Sequence, residues 1–345
     1  MDSILFSIDN RIDFAESIII KYNYYQQQTR VPNPSSYKDI QLGSVNKAKF
    51  SDGELCVDFN ETVRGKRVYL LSSPNTSDEI IKLTLAIDAA KRAAASEVIV
   101  ILPYFPYSRQ DKKDQDRGPI GAKVMAKILE TCGATAIITY ELHADQIQGF
   151  FEIPVTHIEG KTVFAADIAK IANESTVLCG PDEEIVLSSC DAGGVKRVKR
   201  MVTKLKEKYA MEINYVVIDK IRTKANFVES VTIIGDVKNK HVIIVDDMID
   251  TFGSADRAID GLIEAGAKSV RMIASHGILS GPALDRLSKS KLSQLIISNS
   301  LELNVPENHP IRSKIKVISL AKQIAYAIIS INSSSSLEKI LSNNC

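Results

Sequence analysis

Short runs rich in Val and Ile alternate along this chain with stretches of helical periodicity, and no other feature narrows its fold as far. A continuous apolar run suits a parallel strand covered on both faces, and parallel neighbours need a crossover, usually a helix. In the first half, residues 68–71, 98–102 and 136–142 read as strands. Between them, residues 78–94 set Ile80, Leu83, Ile87 and Ala90 on one stripe, and 120–129 read as a second helix. The second half repeats the theme, with strands at 185–188, 215–218, 231–234, 242–245 and 270–274 and helices at 195–208 and 255–265. The expected class is α/β, mainly parallel sheets flanked by helices.

The 345 residues suit two domains of ordinary size better than one core. The natural boundary falls between the strand ending near Ile158 and a helix around 164–171, which gives domains at 1–160 and 161–345. An internal echo supports related halves: Gly133-Ala134, a strand and His143 recur as Gly266-Ala267, a strand and His276. Residues 24–37, rich in Gln, Asn and Pro, read as a loop or insertion, and Ser333 to Ser336 as a polar break before a last helical turn.

Lys plus Arg total 43 against 42 Asp plus Glu, so no global field attracts nucleic acid or a membrane surface. Phosphate binding would have to come from local constellations. Five scattered cysteines, Cys56, Cys132, Cys179, Cys190 and Cys345, form no CxxC pair, which points to free thiols in a reducing compartment. No apolar run approaches the ~20 residues that span a bilayer, and the first residues carry no basic and apolar leader pattern. A cytoplasmic location is expected.

The densest chemistry lies in His241-Val242-Ile243-Ile244-Val245-Asp246-Asp247-Met248-Ile249-Asp250-Thr251-Phe252-Gly253-Ser254. An apolar strand ends in two carboxylates, and a Thr/Gly/Ser turn then opens a helix. Ligands of open α/β sheets bind at the carboxyl ends of strands. Backbone N–H groups and the positive end of the helix dipole suit a phosphate there. Adjacent acids suit ribose hydroxyls, or a magnesium ion through its waters. This string resembles the phosphoribosyl-binding motif of type I phosphoribosyltransferases and their pyrophosphokinase relatives. Phe252 stands where a small residue is usual, and Ser254 replaces the usual Thr.

Further motifs resemble the ribose-phosphate pyrophosphokinase family and occur in its order: Phe50-Ser51-Asp52-Gly53-Glu54, the stretch 103–114, the stretch 142–151, Asp191 to Arg197, Asp219-Lys220-Ile221-Arg222, and Ser275-His276-Gly277. An Arg fork such as that of Arg109 matches phosphate oxygens in a bidentate way. Two cations on a loop, Lys220 and Arg222, fit a lid closing on a phosphate chain. The resemblance implies two tandem type I phosphoribosyltransferase-like domains. It implies transfer of pyrophosphate from MgATP to ribose 5-phosphate, with Mg2+ as cofactor and a homo-oligomer, a hexamer built from dimers. It assigns Phe50, Asp52 and Glu54 to the adenine of a neighbouring subunit's ATP. Arg109, Gln110, Asp114 and His143 fall to ATP, and His143 and Asp191 to magnesium. Lys220 and Arg222 fall to the transition state, with Asn226 nearby in the matching place. Arg222, Asp246, Asp247, Asp250, Thr251, Phe252, Gly253 and Ser254 fall to ribose 5-phosphate. His276 is expected to be structural.

Glu141, Cys190 and Thr156 stand where the family prefers Asp, Pro and Asp, and Asp145 sits where some members build an allosteric phosphate or ADP site. Two other readings remain open at this stage. A catalytically silent regulatory subunit would be marked by loss of Lys220, Arg222, Asp191 or His143, and all four are present. A plain phosphoribosyltransferase would lack the Arg109-Gln110 and Leu142-His143 motifs.

Overall fold

Parallel pairing organises both long sheets of the computed structural model, which describes residues 2–28, 39–179, 184–221 and 230–344. The chain runs β1 (Ser3–Ser7), α1 (Ile12–Gln28), β2 (Gln41–Gly43), the hairpin β3 (Val45–Lys49) and β4 (Leu55–Phe59), and β5 (Arg67–Leu71). It continues with α2 (Ser77–Arg92), β6 (Glu97–Leu102), α3 (Gly121–Cys132), β7 (Ala136–Tyr140) and β8 (Val155–Ile158). The order across the first sheet is β2-β1-β5-β6-β7-β8, every pair parallel. Val68, Leu70, Val100 and Ile137 pack against Leu83, Ile87, Met125 and Leu129 of the helices. Their alternate neighbours Tyr69, Ile99 and Ile138 are also buried, which is why these strands read as unbroken apolar runs.

The second unit spans Gly160–Ser319. It holds α4 (Lys161–Cys179), β9 (Ile185–Ser188), α5 (Val195–Tyr209), β10 (Asn214–Tyr215), the hairpin β11 (Val217–Ile221) and β12 (Ser230–Ile234), and β13 (His241–Ile249). Then follow α6 (Gly253–Glu264), β14 (Ser269–Gly277), α7 (Ala283–Lys289), β15 (Gln294–Ser298) and β16 (Ile315–Ile318). Its sheet order is β10-β9-β13-β14-β15-β16, again all parallel.

The two units share one plan, strand for strand, including an antiparallel hairpin before the third strand across. The echo noted in the sequence is not its trace. That echo aligns β7, fifth in its sheet, with β14, fourth in its own. Two αβ junctions had similar residues by coincidence. Two other expectations change. The single strand at 215–218 is split at Val216, with Tyr215 pairing to β9 and Val217 beginning the hairpin. The stretch from Tyr24 to Gln28, expected to be loop, completes α1.

The last helices, α8 (Ala321–Asn332) and α9 (Leu337–Asn344), belong to the first unit rather than to the second, where the sequence boundary placed them. The cause is the character of α8. Its residues from Ile324 to Ile329 are buried on all sides, and such a helix needs cover all round. It packs along α1, where the Tyr25 and Tyr326 rings lie 4.8 Å apart. Asn332 fastens its end. The Asn332 Oδ1 accepts from Arg67 Nη1 at 2.7 Å and from the Tyr69 hydroxyl at 2.8 Å, while its Nδ2 donates to the Tyr22 hydroxyl at 3.0 Å. Burial pushes the Tyr69 phenol well up, so it stays a donor. Asn332→Leu removes a partner from four side chains at once, Ser3 among them, and should destabilise the chain by about 1–3 kcal/mol, read from urea denaturation. Tyr69→Phe should cost less, because Arg67 and Tyr22 keep Asn332.

Candidate active site

The carboxyl end of β13 carries the acid pair. Asp247 is buried and Asp246 half-buried. The amide of Asp247 donates to Asp246 Oδ1 at 2.9 Å. Burial, then the charge of Asp247, raise the Asp246 carboxyl above the ordinary carboxylate range, while Arg197 and the Cys190 thiol pull it back. Arg197 reaches both acids, Nη1 to Asp246 Oδ1 at 3.2 Å and Nη2 to Asp247 Oδ1 at 3.3 Å.

Asp250 to Ser254 make the turn into α6. Phe252, the departure noted in the sequence, does not enter the turn's mouth: its ring is buried in the core with Ala255, Ile259 and Leu262. Its backbone is left-handed, φ 63°, a conformation that costs a non-glycine residue about 1–2 kcal/mol and is held here by that burial. No side chain caps α6. Its counterpart α2, which follows the third strand across in the first unit, is closed by a capping box. Thr76 accepts from the Glu79 amide, and Glu79 Oε2 accepts from the Asn75 and Thr76 amides at 2.8 and 3.1 Å. One unit thus closes this helix start with its own carboxylate, and the other has no side-chain cap there. Arg286, from α7, donates to the Thr251 carbonyl at 3.0 Å, and its Nη1 lies 2.8 Å from where a Gly253 Cβ would stand. Ser280 donates to Asp250.

Asp191 ends the β9 loop, and its Oδ1 accepts from the Gly193 amide at 3.0 Å, capping a short 3-10 turn into α5. His143, in the first unit, is exposed. The Leu142 amide beside it donates to His157 Nε2 at 3.1 Å, and Gln148 Nε2 approaches His157 Nδ1 at 3.4 Å. Among the described residues no three His, Cys, Asp or Glu side chains cluster to cage a metal. His276 is buried, its Nδ1 2.8 Å from the Ser300 hydroxyl, the structural role expected.

Phe50, Asp52 and Glu54 form the tip of the β3–β4 hairpin. The Phe50 amide donates to the Glu54 carbonyl at 2.8 Å, the Glu54 amide to Asp52 Oδ1 at 3.1 Å, and the Phe50 ring stands 56% exposed. Arg109, Gln110 and Asp114 lie exposed on the loop between β6 and α3. Gln110 folds over the start of α3: its carbonyl accepts from Ala122, and its Oε1 lies 2.5 Å from where a Gly121 Cβ would stand. Lys220 was expected on an irregular loop; its backbone instead pairs with Val231 in the β11–β12 hairpin. A polar, charge-bearing strand at a sheet of only two strands shows little apolar periodicity. Arg222 and Asn226 lie outside the described residues. Arg197, quoted in a motif, and Arg286 received no role from the sequence, because each meets the site across a different element.

Residues 3–133 match the model of the N-terminal domain of ribose phosphate pyrophosphokinase, and residues 198–342 that of the phosphoribosyl synthetase-associated domain. The ribose-phosphate pyrophosphokinase of Clostridium acetobutylicum is 42% identical over 84% of this chain and 86% of its own length. That of Bacillus subtilis is 37% identical over 90% and 95%. The crystal structure of phosphoribosylpyrophosphate synthetase from Mycobacterium smegmatis matches with a TM-score of 0.81 at 31% identity, covering 97% of this chain and all of that one.

Gly121→Ala adds a good helix former but puts a methyl group into the Gln110 amide. Thermal melting should fall only slightly, since the Gln110 amide can swing away although its Cβ, 3.1 Å from the new methyl, must also give. Substrate titrations should show weakened binding of the nucleotide alone. A variant with unchanged nucleotide affinity would separate Gln110 from nucleotide binding.

Proposed function

The chain belongs to the ribose-phosphate pyrophosphokinase family and makes 5-phosphoribosyl 1-pyrophosphate and AMP from ATP and ribose 5-phosphate, and from that premise we propose how its residues divide the work. The observation that carries the assignment is the uncapped start of α6 directly after the Asp246–Asp247 pair. The amides of the turn Asp250 to Ser254 hold the 5-phosphate, and Asp246 and Asp247 take the ribose hydroxyls. The anomeric hydroxyl then attacks the β-phosphorus of ATP. The new C1–O–P bond forms as the bond to the α-phosphate oxygen breaks, AMP departs, and the hydroxyl proton passes to solvent.

Positioning and neutralisation of spreading charge do most of the catalysis in such transfers. Lys220 and Arg222 supply cations to the transferred oxygens. Arg109, Gln110, Asp114 and His143 hold the nucleotide. Magnesium, when bound, would neutralise phosphate charge, and His143 and Asp191 are the residues assigned to it. An aromatic ring left exposed at a hairpin tip favours a partner outside its own unit, and Phe50, Asp52 and Glu54 are assigned to the adenine bound by a neighbouring subunit. The working form is then a homo-oligomer, a hexamer built from dimers, in the cytoplasm.

Lys220→Ala should cut turnover by about 10²–10³, since loss of one preorganised donor costs ~3–4 kcal/mol, with little change in ATP affinity. Near wild-type turnover would take Lys220 out of the mechanism. The shared site has its own test. A Phe50→Ala, Glu54→Ala double variant and Lys220→Ala, each inactive, should regain activity when their subunits are exchanged. Some interfaces will then pair an intact hairpin tip with an intact lysine. No recovery, after mass-tagged chains prove exchange, would place the adenine site within one chain.

A further inference from the structure

β13 outruns its neighbour. Its last pair with β9 is Ile244 with Ser188, so beyond that point this edge of β13 has no described strand beside it. Successive side chains of a strand point to opposite faces, and Asp246 and Asp247 should therefore diverge. Arg197, in the first turn of α5, comes to that edge and bridges them, one arm of its guanidinium to each Oδ1. The three side chains are 21%, 20% and 6% exposed, so the bridge is largely screened from water. We propose that Arg197 is the positioning residue that sets sugar specificity, turning both carboxylates to one side so that they meet the 2- and 3-hydroxyls of ribose as a pair. This rests on the assignment of ribose to Asp246 and Asp247.

The chemistry requires an arginine. Its donors form a rigid fork that spans two acceptors, whereas a lysine is a point charge that holds one. Ionised carboxylates are pure acceptors, with about four lone-pair sites between the two oxygens of each group, so bonds to the guanidinium leave capacity for hydroxyl donors. The charged and titratable groups facing Asp246 are Asp247 on its own strand, Arg197 from α5 and the Cys190 thiol beyond β9. Without the arginine, two adjacent acids share a partly dry site, and one of them takes up a proton more readily. A protonated acid donates, and the pair no longer matches two hydroxyl donors.

The test compares affinities for ribose 5-phosphate and 2-deoxyribose 5-phosphate, by calorimetry with magnesium and a non-hydrolysable ATP analogue. Wild type should favour the ribose form by about ten- to a hundredfold, the loss of one or two hydrogen bonds to charged groups. Arg197→Lys, which keeps a charge and the fold, should reduce that preference by about tenfold. It should also move the acid limb of ribose 5-phosphate binding to higher pH than in wild type. The ionisation of the sugar phosphate is common to both proteins and cancels. Arg197→Met should go further in both respects. A lysine variant with wild-type preference and an unmoved acid limb overturns the inference. Asp247→Asn is the control for the underlying assignment: if it too leaves the preference intact, ribose does not lie on the acid pair, and both ideas fall together.

Discussion

Parallel pairing is the constraint from which the site follows. Six strands running one way bring all their carboxyl ends to one edge of the sheet, and every crossover helix starts there. The residues of unit two that matter, from Asp191 after β9 to Ser254 after β13, are collected on that edge by topology before any side chain contributes. Helix starts then face the same side with their unbonded amides. Whether such a start becomes a binding place depends on local chemistry: α2 closes its own with Glu79, and α6 does not.

A second constraint is electrostatic. Two neighbouring carboxylates at a half-dry strand end repel each other, and Asp246 resists ionisation more than it would in water. The chain answers with one guanidinium placed where β9 stops short. Removing one member of such a cluster leaves an uncompensated charge, which is why its three residues act as a unit rather than as separate contacts.

Much of this was legible in the sequence. Residues 242–245 and 98–102 form continuous apolar runs because both faces of their strands are buried, and burial on both faces is a property the composition records. The acid pair and the turn after it were visible as a string, since their spacing is imposed by the strand and helix that flank them. Other features left no such mark. β2 and β10 are only three and two residues long, too short for any periodicity. The hairpins lay only a few apolar side chains on the cores, Val45, Val57 and Phe59 in one and Ile218, Val231 and Ile233 in the other. That α8 returns to the first unit depends on Tyr22, Arg67 and Tyr69, residues far away in the chain. The role of Arg197 depends on where a neighbouring strand ends, which spacing alone does not reveal. Phe252 stood out as a departure, but only the fold shows its ring going inward.

That inward ring ties the turn before α6 to the core of its unit. Phe252 is at once the residue before α6 and a member of the core beneath it, so the turn cannot loosen without opening the packing around Ile259 and Leu262. A ligand gripped by the turn therefore acts on the same equilibrium as the core does. By mass action, a ligand held there as proposed would stabilise the folded domain by RT ln(1 + [L]/Kd). On the proposed assignment, the level of the sugar phosphate and the heat resistance of this unit become coupled variables.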